Sequence, residues 1–146
     1  MDSRAVLTAL QQWEVPRLMV SSQGLPVVRR RVLVVDDEAA IREILATWLE
    51  QYEFAVHTVP DGASALALLQ TEHVDVMLVD LQMPGLSGLE MALEVHKTNP
   101  CIPMALITGT PMALQPAHLR QAGISRVFAK PFDLEVLVAW LQTLPL

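Results

Sequence analysis

Four stretches of this 146-residue chain carry side chains that could do chemistry together: Asp36-Asp37, Asp80, Thr108-Gly109 and Lys130. Each closes an apolar run. The clearest is Val76-Met77-Leu78-Val79, which leads straight into Asp80 and then into a Pro84-Gly85 turn. A short Val- and Leu-rich run bounded by Gly and Pro reads as a strand buried on both faces. An aspartate at the carboxyl end of a buried parallel strand lies in the crevice where open α/β sheets collect ligands. The plainer reading is that Asp80 only caps the loop that follows. Three carboxylates drawn into one crevice repel each other unless a cation joins them. Hard oxygen donors with no His or Cys nearby select Mg²⁺, which takes one or two protein carboxylates and keeps waters or phosphate oxygens. A buried Lys130 ammonium would offset more of the negative charge. Such a set is equipped for phosphoryl transfer onto oxygen. Asp80 would be the nucleophile, forming an aspartyl phosphate. Thr108 would donate its hydroxyl to a phosphate oxygen, with Gly109 leaving room, and the loop after Thr108 would move inward.

The elements that must position these residues are regularly punctuated. Residues 32–35 form an apolar strand that ends in Asp36-Asp37. Residues 38–51 carry Ile41, Ile44, Leu45, Trp48, Leu49 and, one step on, Tyr52 at the spacing of a single core-facing helical stripe. A second strand spans 54–59, and Asp61-Gly62 opens a second helix through Leu66 and Leu69. Residues 75–80 are the third strand, 87–97 a helix, 102–108 the fourth strand and 125–129 the fifth. Pro111 and Pro116 shorten the helix between the last two strands, which is expected to start near Pro116, end near Ala122 and be mobile. Asp133 is an N-cap for a last helix carrying Leu134, Leu137, Val138 and Leu141. Five strands alternating with five helices predict an α/β fold, a five-stranded parallel sheet doubly wound by helices on both faces. Right-handed crossovers favour strand order 2-1-3-4-5, which puts the switch point between the strands ending at Asp36-Asp37 and Asp80.

Composition narrows the function classes. Hydrophobic residues make up 52% and charged residues 18%, which argues for a packed core over disorder. A formal net charge of -6 argues against a general nucleic-acid or membrane-surface binder. The one basic run, Arg29-Arg30-Arg31, reads as a solvated edge. The single cysteine, Cys101, allows no internal disulfide. No apolar stretch approaches the ~20 residues of a membrane span, and residues 1–4 lack the basic region of a signal peptide. A cytoplasmic location is therefore expected. Residues 1–30 differ from the rest: Val6, Leu10 and Trp13 suggest a short amphipathic helix stopped by Pro16, and residues 21–26 read as linker. This extension packs on the domain, pairs with another copy or carries no function. The residues do not choose between these.

With these motifs in hand, residues 31–146 resemble a receiver domain of the bacterial two-component response regulators. The resemblance rests on Val34-Val35-Asp36-Asp37-Glu38, residues 80–88, Ile107-Thr108-Gly109 and Ala129-Lys130-Pro131-Phe132, in this order. It implies a flavodoxin-like sheet and transfer of a phosphoryl group to Asp80 from a histidine kinase or phosphotransfer protein. Mg²⁺ would be held by Asp36 or Asp37, by Asp80 and by the backbone carbonyl of Gln82. It implies a cis Lys130-Pro131 bond, and a phosphoacceptor that assists its own phosphorylation and dephosphorylation without being classed as an enzyme. Signalling would run through protein contact, with homodimerisation left open. No output domain follows Leu146, so the chain resembles a stand-alone receiver or an excised domain.

The chain also departs from the family. Three residues before the lysine, many receivers carry a switch Tyr or Phe; here Val127 stands there, with Phe128 one place later. A one-residue offset on a strand reverses the face. Either Phe128 packs in the sheet, or the output surface works without the aromatic switch; the second is the expectation. Gln82 and Thr110 occupy positions that tune phosphoryl loss in the family. Among rival readings, a flavodoxin's first loop must cradle a phosphate, which Asp36-Asp37-Glu38 would repel. A haloacid-dehalogenase-type phosphatase needs an acid where Gln82 stands. The serious rival is a receiver-fold interaction module that works without phosphorylation. His57, His73, His96 and His118 show no metal-ligand spacing and read as surface or strand-edge residues, and the methionines read as core filler.

Overall fold

The computed structural model describes residues 19–20, 26–27 and 29–145. The expected helix around Val6, Leu10 and Trp13 lies outside the described residues, as does most of the linker. Met19–Val20 and Pro26–Val27 pair antiparallel in a short ribbon. The main sheet then begins with β1 (Arg31–Val35) and α1 (Ala39–Gln51), followed by β2 (Ala55–Val59) and α2 (Gly62–Leu69). Next come β3 (Val76–Asp80), α3 (Gly88–Thr98) and β4 (Met104–Thr108). A 3₁₀ turn at Pro111–Ala113 leads into α4 (Pro116–Gln121), β5 (Ile124–Ala129) and α5 (Leu134–Thr143).

All neighbouring strands of the main sheet are parallel and run in the spatial order β2-β1-β3-β4-β5, as expected. Side chains alternate across the sheet and so feed two cores. Val32, Val34, Leu78 and Ile107 pack with Leu45 and Leu49 of α1 and with Leu137, Val138 and Leu141 of α5. Leu33, Val35, Met77 and Leu106 pack with α2 and with Met91, Ala92 and Val95 of α3. Burial on both faces is why the central strands are unbroken apolar runs. The helices start where their caps direct: the Asp61 carboxylate accepts from Ser64 N, the Ser87 hydroxyl from Glu90 N and the Asp133 carboxylate from Glu135 N.

Several details correct the sequence reading. The α1 stripe is narrower than its spacing suggests. Leu45 and Leu49 are buried, but Ile44 is 54% exposed and Tyr52 is exposed too. Ile44 is one residue from Leu45, so it sits about 100° round the helix, on the flank of the buried face. Arg30 is not a solvated edge residue, for its Nη1 donates to the Leu141 carbonyl at 2.7 Å near the end of α5. His96 is half-buried rather than on the surface, because a turn at Gly123 (φ +74°) brings backbone against its ring. Met77, Met91 and Met104 do fill the core, whereas Met112 is almost fully exposed on the 3₁₀ turn.

Candidate functional site

Strand register brings the chemistry-bearing residues together. Val35 pairs with Val79, so the next residues, Asp36 and Asp80, come abreast at the carboxyl edge of the sheet. Asp80 pairs with Ile107 and Thr108 with Ala129, so Thr108 and Lys130 continue the same edge. The Lys130 amide donates to the Thr108 carbonyl at 2.8 Å, and the Lys130-Pro131 peptide is cis. Three polar residues of this edge are buried, Asp36 at 1%, Asp80 at 4% and Thr108 at 1% exposure, and among the described residues they are the only buried polar side chains.

Asp80 Oδ1 takes two long contacts, from Lys130 Nζ at 3.4 Å and from the Gln82 amide at 3.4 Å. Its Oδ2 takes no hydrogen bond among the described residues. Burial raises the Asp80 pKa above the usual carboxylate value; the Lys130 charge and the Gln82 amide oppose this, and the charge of Asp37 adds to it. Burial also raises Asp36, against the Glu38 amide, with the charges of Asp80 and Asp37 adding to the rise and Lys130 opposing it. The two strand ends therefore form one electrostatic unit.

Asp36 is tethered on several sides. Its amide donates to the Val59 carbonyl at 3.2 Å, and its Oδ1 accepts from the Glu38 amide at 2.8 Å. Its Oδ2 is buried without a hydrogen-bond partner among the described residues. An unpartnered buried carboxylate oxygen is costly unless something positive meets it. One oxygen each from Asp36, Asp37 and Glu38 lie within 4.8 Å of one another. This all-oxygen donor set, with the orphaned Asp36 Oδ2, fits Mg²⁺. Glu38 is a member that the sequence reading did not assign. Asp80 stands across from this trio and couples to it by charge, and Gln82 touches Asp80 through its amide.

Thr108 lies at the expected strand end, but its hydroxyl is held within its own loop. It accepts from the Thr110 amide at 3.0 Å and lies 3.3 Å from Thr110 Oγ1. A Cβ added at Gly109 would meet nothing within 4 Å, so this position borders open space. Gly88, the first residue of α3, is another contributor that spacing alone did not reveal. An added Cβ there would lie 2.2 Å from the Asp80 carbonyl oxygen. Only glycine lets the helix backbone press so closely on the end of β3.

Phe128 is buried in the core beneath α1 and α5, its ring 5.8 Å from that of Trp140 in an edge-on arrangement. Packing of Phe128 in the sheet, one of the two sequence alternatives, is thus observed, and it leaves the other, an output surface without the aromatic switch, standing. Phe128 pairs with Ile107 and shares its face, while Val127 pairs with Leu106 and packs on the opposite face.

The family model described as the response regulator receiver domain matches residues 32–142. The response regulator MprA of Mycolicibacterium vanbaalenii is 33% identical over 114 residues, covering 78% of this chain and 49% of that protein. MprA of Mycobacterium avium is 32% identical, with 78% and 50% covered. The chain thus spans about half the length of the curated relatives it matches. Among solved structures, the Vibrio cholerae chemotaxis response regulator CheY4 superposes with a TM-score of 0.73 at 29% identity, covering 79% of this chain and 98% of that one. The Thermotoga maritima response regulator TrrA, solved in complex with Mg(2+)-BeF, gives a TM-score of 0.71 at 29% identity, with 77% and 96% covered. No helix among the described residues is long and apolar enough to cross a membrane.

Proposed function

The chain belongs to the response regulator receiver family, and on that footing we propose that it accepts a phosphoryl group on Asp80 from a histidine kinase or phosphotransfer protein. The observation that carries this reading is the state of the two central carboxylates. Asp80 Oδ1 is taken by Lys130 and the Gln82 amide, which leaves Oδ2 free of hydrogen bonds to attack phosphorus. The phosphorus–nitrogen bond of a donor phosphohistidine would break as the bond from phosphorus to Asp80 Oδ2 forms, and the freed imidazole would take up a proton. Lys130 would remain beside the new acyl phosphate and stabilise charge on its oxygens. Thr108 would release Thr110 and turn its hydroxyl to a phosphoryl oxygen, drawing the loop at 109–113 with it.

Asp36 and Asp37, with Asp80, the Gln82 carbonyl and Glu38 alongside, would hold Mg²⁺. When bound, the ion supplies neutralisation of charge on the transferred group and on the carboxylates around it. The chain would thus act as a phosphoacceptor that assists its own transfer and not as an enzyme in its own right, in the cytoplasm and through protein contacts. One observation favours a second reading, an interaction module that needs no phosphorylation. With Phe128 committed to the core and Val127 at the usual switch position, β5 offers no aromatic ring free to move. Intact-mass spectrometry after incubation with Mg²⁺ and acetyl phosphate separates the two. A single phosphoryl adduct, absent in Asp80→Ala and abolished by chelation, supports acceptance on Asp80. A chain that binds Mg²⁺ but takes no adduct supports the second reading.

A further inference from the structure

We infer that Arg42 is a positioning residue for the metal-facing oxygen of Asp36, an inference that rests on the Mg²⁺ reading above. Asp36 has four hydrogen-bonding groups, and three are fixed by separate parts of the fold. The amide is tied to Val59 of β2 at 3.2 Å. Oδ1 is tied to the Glu38 amide at the start of α1 by 2.8 Å. The carbonyl accepts from Arg42 Nη1 at 2.6 Å, the shortest of the three. Oδ2 is the one group left without a partner, and it is buried. A carboxylate on a fixed backbone, with one oxygen held, has a single direction in which its other oxygen can point.

Arg42 is the only one of these tethers made by a side chain. It reaches back over the first turn of α1, where its own amide donates to the Glu38 carbonyl at 3.1 Å. The guanidinium thus joins α1 to the end of β1 across the Asp36-Asp37-Glu38 turn, whose three side chains carry the clustered oxygens. It chooses the backbone carbonyl of Asp36 as its acceptor although three carboxylates lie in the same turn. Among the described residues no ion pair joins it to any of them, so they remain available to a cation.

Positioning by Arg42 and simple electrostatics act on Mg²⁺ affinity with opposite signs. Arg42 is a positive charge beside an acidic cluster, and Coulomb repulsion alone predicts that removing it would tighten Mg²⁺ binding. Positioning predicts the reverse, because a loosened Asp36 must be ordered again each time the ion binds. Groups that orient metal ligands typically change metal affinity by about 10-fold or more when removed.

The test is Mg²⁺ titration of the full chain by calorimetry, comparing wild type with Arg42→Gln, Arg42→Met and Arg42→Lys, with thermal unfolding in chelator as the measure of the fold. Positioning predicts that Arg42→Gln and Arg42→Met bind Mg²⁺ about 10-fold more weakly while unfolding near the wild-type temperature. Arg42→Lys, which keeps a donor for the carbonyl, should recover part of the loss. In acetyl phosphate labelling, the Mg²⁺ concentration giving half the rate should rise in Arg42→Gln while the rate at saturating Mg²⁺ stays near wild type. Unchanged or tighter Mg²⁺ binding in both neutral variants overturns the inference and leaves the phosphoacceptor reading standing. So does a loss of affinity matched by unfolding in both, because the role is then only structural. A wild-type chain that binds no Mg²⁺ overturns the inference and the metal reading together.

Discussion

Replacing Gly88 with alanine isolates the contact through which α3 holds the end of β3. The added Cβ would stand 2.2 Å from the Asp80 carbonyl oxygen and 2.9 Å from both the Asp80 carbonyl carbon and Leu81 Cα. All three are backbone atoms, so no rotamer change relieves the clash. Carbon and oxygen in close contact need about 3.3 Å, so the end of β3 and the start of α3 must part by about an ångström. The Gly88 amide also donates to the Leu81 carbonyl at 3.0 Å, and parting strains that bond. Overpacking of this kind costs about 1–3 kcal/mol, and alanine returns up to about 1 kcal/mol through better helix propensity. The expected net loss is about 2 kcal/mol, which for a chain of this size lowers Tm by about 4–8 °C. The effect on chemistry should be larger, because a misplacement of about 1 Å in a reacting group can cost about 100-fold in rate. Acetyl phosphate labelling followed by intact mass measures that rate, and thermal unfolding measures the fold. Gly109→Ala is the control, since its Cβ meets nothing within 4 Å and it should unfold like wild type. A Gly88→Ala chain with wild-type Tm and wild-type labelling rate would refute the claim that this contact fixes Asp80.

Two further outcomes follow from the geometry. Burial raises the pKa values of Asp36 and Asp80 above 3.8, so the folded state holds these protons more tightly than the unfolded chain. Their contribution to stability is therefore full below the ordinary carboxylate pKa and is lost as pH rises through their folded values. In chelator, Asp80→Asn should be more stable than wild type at neutral pH, with the gap closing towards acid; unfolding curves across that range check it, and a wild type more stable at neutral pH would contradict it. Phe128→Ala removes a ring buried against Trp140 and should cost about 3 kcal/mol, read as a Tm about 6–12 °C lower. Labelling of Asp80 well below that temperature should continue, since the Phe128 ring is buried among apolar side chains and packs edge-on against Trp140 of α5; abolished labelling in a folded variant would show that the ring supports the site.

What could be read from the residues alone depended on how far each feature is local. Strands buried on both faces must be apolar throughout, so Val32–Val35 and Val76–Val79 declare themselves and the acids that end them stand out against that background. Once alternation with helices fixes a parallel doubly wound sheet, register does the rest: Asp36, Asp80, Thr108 and Lys130 meet because parallel strands in register end together. Ile44 and Tyr52 misled because apolar residues at helical spacing cover more of the helix than its buried face does. Phe128 was ambiguous because alternation tells which residues share a face of β5 but not which helices cover that face.

Gly88 and Arg42 escaped for a different reason, and it bears on how the site works. Both act on backbone carbonyls at strand ends, Gly88 by coming within van der Waals reach of Asp80 and Arg42 by donating to Asp36. A carbonyl is the same in every residue, so nothing in the residue types marks it as a target. The two strand ends that meet at the switch point are thus each braced by the helix that crosses nearest, α3 for β3 and α1 for β1. Each brace touches the main chain and leaves the carboxylate oxygens available. A device that must bind a cation and then a phosphoryl group at the same oxygens needs rigidity without occupying them, and backbone anchoring supplies it. The one side-chain bond to these two carboxylates among the described residues, Lys130 Nζ to Asp80 Oδ1 at 3.4 Å, is long and leaves Oδ2 of both aspartates without a hydrogen bond.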